Sequence, residues 1–479
     1  MRRIIALLCC VTLLLSACSP GLLAVPRFHG PPAQAQLVLS AYDTLMDDYV
    51  LRLDPSTLAL AAATGMQDAV AQGNGAAATA FPHEPFWGTQ KEVRSELSQQ
   101  FTLTARQFPQ VDPTAIAYTA ITRMTQSLND CHTNFFTPSE YQQQQAEIQG
   151  KVQFGGIGAS LKDRPGSTPL IGEVFAGLPA AQAGLHPGDA IVRVNGKDIQ
   201  GLSASNVVTL IRGPVGTVVS LDIQRTGAGN LHFSITRRDV TPPALNAGTV
   251  TDSAGNEIGY AHIYSFTPEM PQELQQVLQQ FQQRQAKLWI VDLRDNSGGT
   301  VQSLLEAVSL FVPRGPVAHF QNRAGHTDTI NASGSAVAAP HRLVVLINNG
   351  SASASEIFAA AVQEQQQGSV VGSRSAGCVA VGEVHALADG SAIEYAADRV
   401  QTPVQNRVLN GAGVTPDVTV AMSLADLAAG RDPQLAGAEA VLDGRITPPS
   451  ATTTPQAPAG AASPPKLLPQ PSVPSGSSQ

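Results

Sequence analysis

One stretch, residues 341–378 (HRLVVLINNGSASASEIFAAAVQEQQQGSVVGSRSAGC), constrains this chain more than any other. It opens on LVVLI, a continuous apolar run of strand length, the mark of a strand buried on both faces beneath covering helices. A polar turn follows, then an Ala-rich run from Ser355 to Gln367 that favours helix. Ser351, Ser353 and Ser355 therefore fall where a strand hands over to a helix N-terminus, with free N–H groups and the positive end of the helix dipole beside them. Serines there have two uses. They cap the helix, or one of them is presented as a nucleophile with backbone donors ready for an oxyanion. The local pattern leaves both open.

The chain has 479 residues, more than one hydrophobic core usually holds, so several domains are expected. Net charge is −8 and no basic run occurs, which argues against nucleic-acid partners. Residues 1–17 read as a secretory signal: two arginines, then an apolar stretch too short to span a bilayer comfortably. Leu15-Ser16-Ala17-Cys18 resembles a bacterial lipoprotein box, implying cleavage before Cys18, lipid on its sulfur, and an exported protein anchored to a membrane of the cell envelope. Residues 18–35 read as a tether and 36–149 as a helical region. From 446 to 479 the Pro/Ala/Ser/Thr-rich composition cannot bury a core, and disorder is expected.

Three further segments carry motifs. FGGIGASL, from Phe154, places glycines where backbone N–H groups can converge on a carboxylate, and AAQAGLHPGDAIVRVNGKDI follows with turn, strand and hairpin signals. LWIVDLRDNSGG is a buried strand ending in glycines, with EIGYAHIYSF strand-like and ELQQVLQQFQQRQ helix-like before it. VLNGAGVTPDVTV closes the run. In this order, with NNGSASASEIFAAAVQE, the motifs resemble the C-terminal processing (tail-specific) serine protease family. The resemblance implies an α/β core of the ClpP/crotonase-like type at 241–445, an inserted PDZ domain at 150–240 and the helical region before it. It makes Ser353 the nucleophile, with Ala354, Gly298 and Gly299 as the oxyanion-hole candidates. Phe154, Gly155, Gly156, Ile157 and Gly158 become the loop that holds a substrate's terminal carboxylate.

One residue departs from the pattern. Where the family carries its lysine base this chain has Cys378, and no lysine lies between 342 and 446. Distant, tricorn-like relatives use a histidine from the segment before the PDZ domain, and Asp130-Cys131-His132-Thr133 matches that place. The resemblance thus offers His132 as the general base, since imidazole exchanges a proton near neutral pH. Asn410 stands at the position of those relatives' orienting glutamate. The same resemblance brings Cys131 and Cys378 to the borders of the nucleophile, so a disulfide between them is expected in an oxidising compartment.

The expected function is serine-type proteolysis of extracytoplasmic proteins or peptides, guided by their C-termini. The alternative is a catalytically dead pseudo-protease that acts as a peptide-binding adaptor. No cofactor is expected, and no metal: the mature chain lacks CxxC and HExxH spacing. The sequence leaves the oligomeric state open.

Overall fold

The computed structural model describes residues 32–74, 86–148, 155–162, 167–202, 204–240, 243–252, 255–334, 342–423, 425–426 and 431–448. The expected signal, Cys18, most of the tether, Phe154 and the Pro-rich tail lie outside them.

The centre is a six-stranded sheet in the order Leu245–Thr251, Glu257–Ile263, Leu288–Asp292, Arg342–Ile347, Ser369–Gly372, Val418–Thr419. The first pair is antiparallel and the remaining four pairings are parallel. The parallel strands are joined through Met270–Gln283, Val301–Ser309 and Ala354–Glu364, as crossover connections require. These helices cover one face, where Trp289, Val291, Val345 and Phe358 are buried. Helix Pro433–Leu442 covers the other, over Ile258, Ile290, Val344 and Leu346. Apolar residues on both faces explain why LWIVD and LVVLI read as unbroken runs.

Helices Ala33–Asp48, Pro55–Asn74, Gln90–Gln107 and Pro113–Ser127 form a second core around Tyr42, Leu45, Met66, Leu97 and Ile121. Thr89 and Glu92 make a capping box, and Asp112 caps the helix that starts at Pro113. A Cβ on Gly65 would stand 2.4 Å from the Thr119 carbonyl, so glycine sets how closely two of these helices approach. The region expected as helical is not wholly so. Asn134–Phe136 is a strand, and it pairs with Ala392–Gln401 in a five-stranded antiparallel sheet on the α/β core. This pairing, invisible in local periodicity, carries the Asp130–Thr133 segment to the site.

Residues 155–240 fold around their own core of Ile157, Ile171, Ile191, Val219 and Ile223. The sheet runs Ala159–Lys162, Leu170–Val174, Ala190–Val194, Val218–Arg225, Gly229–Thr236. Asn195 and Gly196 both take positive φ (51° and 75°), the two-residue hairpin turn their sequence signals. Arg225 holds the buried Asp189 at 2.7 Å. Ala159–Lys162 pairs with Leu170–Val174 and is an edge strand. The unit leans on the core through Lys162–Asp295 (2.7 Å) and through Tyr264, whose hydroxyl donates to Glu173 and whose ring packs on Phe175.

Candidate active site

The strand Arg342–Ile347 ends in a turn that commits two of the three serines to structure. Ser351 donates its hydroxyl to the Leu293 carbonyl (2.7 Å) and Ser355 donates to the Asn296 carbonyl (2.9 Å); both are fully buried. Ser353, between them, is half-buried and has φ +53° and ψ −117°. Positive φ in a non-glycine residue is costly and persists only where the surroundings over-determine it. Here they do. The Ser353 N–H donates to the Cys378 carbonyl (2.9 Å) and to Glu356 Oε2 (3.2 Å). A Cβ on Gly298 would stand 2.8 Å from Ser353 Cβ, so that position must be glycine.

Glu356, in the first turn of the helix, ties the elbow to the turn that holds Cys378. Its fully buried carboxylate also accepts Ser375 Oγ–H (2.6 Å), Gly377 N–H (2.8 Å) and Cys378 N–H (2.9 Å). Burial pushes this carboxyl above its usual range, against the pull of those donors.

Of the oxyanion-hole candidates, Ala354 opens the helix, and its N–H has no acceptor among the described residues. The two glycines differ. The Gly298 N–H donates to the Asn296 side chain (2.8 Å) and is not free as the site stands. The next peptide turns its carbonyl to the Phe266 N–H (2.9 Å). Because a trans peptide points its N–H the opposite way, the Gly299 N–H faces away from Phe266, with no acceptor among the described residues.

His132 reaches the site from the opposite wall. Its own N–H donates to Asp130 Oδ1 (2.9 Å), and Tyr49 holds the other Asp130 oxygen (2.9 Å). The ring Nε2 lies 3.3 Å from the Cys378 carbonyl, the same oxygen that accepts the Ser353 N–H. A carbonyl only accepts, so Nε2 carries the proton here and Nδ1 the lone pair. No lysine or histidine side chain among the described residues hydrogen-bonds Ser353 Oγ. Cys131 and Cys378 are joined by a disulfide, with Cα atoms 5.9 Å apart across 247 residues of sequence. A disulfide typically stabilises the fold by about 2–4 kcal/mol.

Asn410 does not orient His132. Leu409 plugs into the core and the turn folds back on its carbonyl, so the next side chain faces solvent and makes no bond to the imidazole. Sequence reasoning passed over Glu394, a half-buried carboxyl on the strand Ala392–Gln401. It lies opposite Asn134 in the strand pairing and accepts from the Asn134 amide at 3.5 Å. Burial raises the Glu394 carboxyl above its usual range, against the pull of the Asn134 amide. Among the predicted carboxylate-loop residues, Gly155 to Gly158 are buried at the start of the small domain, and the Gly158 φ of +76° fits only glycine beside Leu178.

Residues 257–420 match peptidase family S41 and residues 145–224 match the PDZ domain family. The carboxyl-terminal-processing protease of Synechocystis sp. is 32% identical over 328 residues, which span 68% of this chain and 76% of that protein. The chain belongs to peptidase family S41. The carboxy-terminal processing protease CtpA of Bacillus subtilis is 31% identical over 301 residues, spanning 62% of each chain. The photosystem II D1 C-terminal processing protease shares the fold, with a TM-score of 0.55, 24% identity, and coverage of 86% of this chain and 97% of that one. This S41 chain is therefore a serine-type peptidase with a PDZ domain on a multi-domain α/β scaffold, and the adaptor alternative is not favoured.

The four donors on Glu356 yield a prediction for this peptidase. Glu356→Gln turns an amide N–H₂ toward one pair of buried donors and should lower stability by about 1–3 kcal/mol, with peptidase activity falling as the elbow shifts. Denaturant unfolding checks it; an unchanged midpoint and slope would remove Glu356 from this role.

Proposed function

We propose that this S41 peptidase is catalytically competent without the family lysine, with Ser353 as nucleophile and His132 as its base. The observation that carries the reading is that Ser351 and Ser355 donate their hydroxyls to buried carbonyls, whereas Ser353, in a capping box with Glu356, donates its hydroxyl to no group among the described residues. It stands on a strand-to-helix elbow beside the open Ala354 N–H. Ser353 Oγ attacks the scissile carbonyl, and its proton passes to His132. The oxyanion settles on the N–H groups of Ala354 and Gly299, with Gly298 supplying the close approach. His132 returns the proton to the leaving amine, and water resolves the acyl-enzyme. The ring and the Ser353 N–H share one carbonyl oxygen, which brings the imidazole to the nucleophile's own turn; the ring turns its Nδ1 lone pair to the hydroxyl to take the proton.

Ser353→Ala should abolish hydrolysis of a fluorogenic peptide, a loss of roughly 10⁴-fold or more. His132→Ala should lose several orders of magnitude as well, because such residues act as a unit. Hydrolysis at full rate in Ser353→Ala would refute the nucleophile; full rate in His132→Ala alone would refute only the base.

The substrates we assign are extracytoplasmic proteins or peptides with a free C-terminus. Supporting this, the edge strand Ala159–Lys162 leaves one side unpaired for an incoming strand, and Lys162 and Glu173 dock the small domain beside the catalytic loop. The loop from Phe154 to Gly158 would hold the carboxylate. Residues 150–240 should bind a peptide acid at least tenfold tighter than its C-terminal amide; equal affinity by fluorescence anisotropy removes this role.

Cys18 we assign as the lipid anchor on the exported protein; among the described residues no helix is long and apolar enough to cross a membrane. Intact-mass measurement of the protein from its native membrane should show an acyl increment that Cys18→Ser lacks.

A further inference from the structure

The lysine-to-cysteine change places two sulfurs and an imidazole together. A His132 ring nitrogen and the sulfurs of Cys131 and Cys378 all lie within 4.8 Å of one another. We propose that reducing the Cys131–Cys378 disulfide converts this cluster into a site for Zn²⁺, held by the two thiolates and His132, and that the metal silences the peptidase. The second half of the proposal rests on His132 being the base; the site itself does not.

The donor set selects the metal. Thiolates with an imidazole suit Zn²⁺ and reject Mg²⁺ and Ca²⁺, which take oxygen ligands. Three protein ligands leave a fourth position for water. Cα atoms 5.9 Å apart let both sulfurs turn toward a common centre about 2.3 Å from each. While the sulfurs are bonded to each other neither is a thiolate, so the oxidised protein offers the metal only a lone imidazole.

The ligands keep their places when the bond opens, because each wall is held independently. Cys378 is fixed by its N–H on Glu356 and by its carbonyl, which accepts the Ser353 N–H. His132 and Cys131 are fixed by Asp130, by Thr133, whose hydroxyl accepts the Ala396 N–H (3.3 Å), and by the Asn134–Phe136 strand pairing. Cys131 is exposed, open to an incoming reductant.

The chemistry balances with a dithiol as the reductant. The dithiol gives two electrons and two protons and becomes a disulfide, while the Cys131–Cys378 bond breaks to two thiols. Zn²⁺ then displaces both thiol protons. The imidazole lone pair goes to the metal and can no longer take the Ser353 proton. In the oxidised form the same residues leave the lone pair with the base.

The test uses the full mature chain, oxidised or reduced with a phosphine that is then removed without oxygen, and Co²⁺ as the spectroscopic probe. The reduced protein should bind one Co²⁺ per chain with a thiolate-to-cobalt charge-transfer band, and Zn²⁺ should displace it. The oxidised protein should show no such band, nor should reduced C131S/C378S. His132→Ala, thiols intact, should bind Co²⁺ at least tenfold more weakly. A reduced wild type without the band, or equal Co²⁺ binding by both redox forms, overturns the site. So does loss of the native near-ultraviolet circular dichroism on reduction that Zn²⁺ fails to restore. In a parallel assay the reduced, zinc-loaded enzyme should lose at least tenfold in hydrolysis, and a chelator should restore it. Undiminished hydrolysis with the band present would uphold the site and overturn the base assignment.

Discussion

The active-site architecture depends on one buried carboxylate. Glu356 gathers the N–H of Ser353, the hydroxyl of Ser375 and the N–H groups of Gly377 and Cys378 onto two oxygens. A buried charge is expensive unless its lone pairs are filled, and filling them forces the start of one helix and the turn after strand Ser369–Gly372 into contact. That contact turns the Cys378 carbonyl toward the Ser353 N–H and makes the positive φ of Ser353 sustainable. It also places residue 378 beside Ser353 whatever its side chain. The same backbone presents Cys378 to its crosslink with Cys131.

The second wall is assembled by a strand that belongs to two cores at once. Ala392–Gln401 packs Ile393, Tyr395 and Ala396 against the N-terminal helices and Val400 against the peptidase core. It pairs with Asn134–Phe136 on one side and Ala380–Ala386 on the other. The Asp130–Thr133 turn is carried on this pairing, so the disulfide is a second tie between walls already joined by backbone. Its stabilisation is chiefly a constraint on the unfolded chain.

The parts of this arrangement that sequence reveals are the local ones. A continuous apolar run followed by an Ala-rich segment announces a buried strand, an elbow and a helix, and Asn195-Gly196 announces its own turn. Which serine is exposed to chemistry is not a local property. Ser351 and Ser355 are used up by carbonyls of Leu293 and Asn296 on a neighbouring strand's exit loop, and only packing shows it. Glu394 is illegible for the same reason. In sequence it is one polar residue in a strand, and its partner Asn134 is 260 residues away. Asn410 matches its motif position in sequence only, because Leu409 takes the inward position and sends its neighbour out. The difference between Gly298 and Gly299 is finer still: it lies in which way one peptide plane faces.

Under the proposed mechanism the proton acceptor stands on the wall opposite the turn at 375–378, which changes what the chemistry is sensitive to. A lysine at 378 would be positioned by the same Glu356 cluster that positions Ser353, so nucleophile and base would share one local support. With His132 as acceptor, the two come from segments far apart in sequence, and their alignment rests on the register Asn134↔Glu394 and Phe135↔Ile393. A slip of one residue in that pairing would turn every side chain of the short strand to the other face and carry His132 out of reach of the Cys378 carbonyl. The disulfide spans this joint: with Cys131 bonded to Cys378, the strand can slide only if the residue beside the base moves with the turn beside the nucleophile. The disulfide thus reinforces a register that the strand pairing already sets, and on which the proposed base depends.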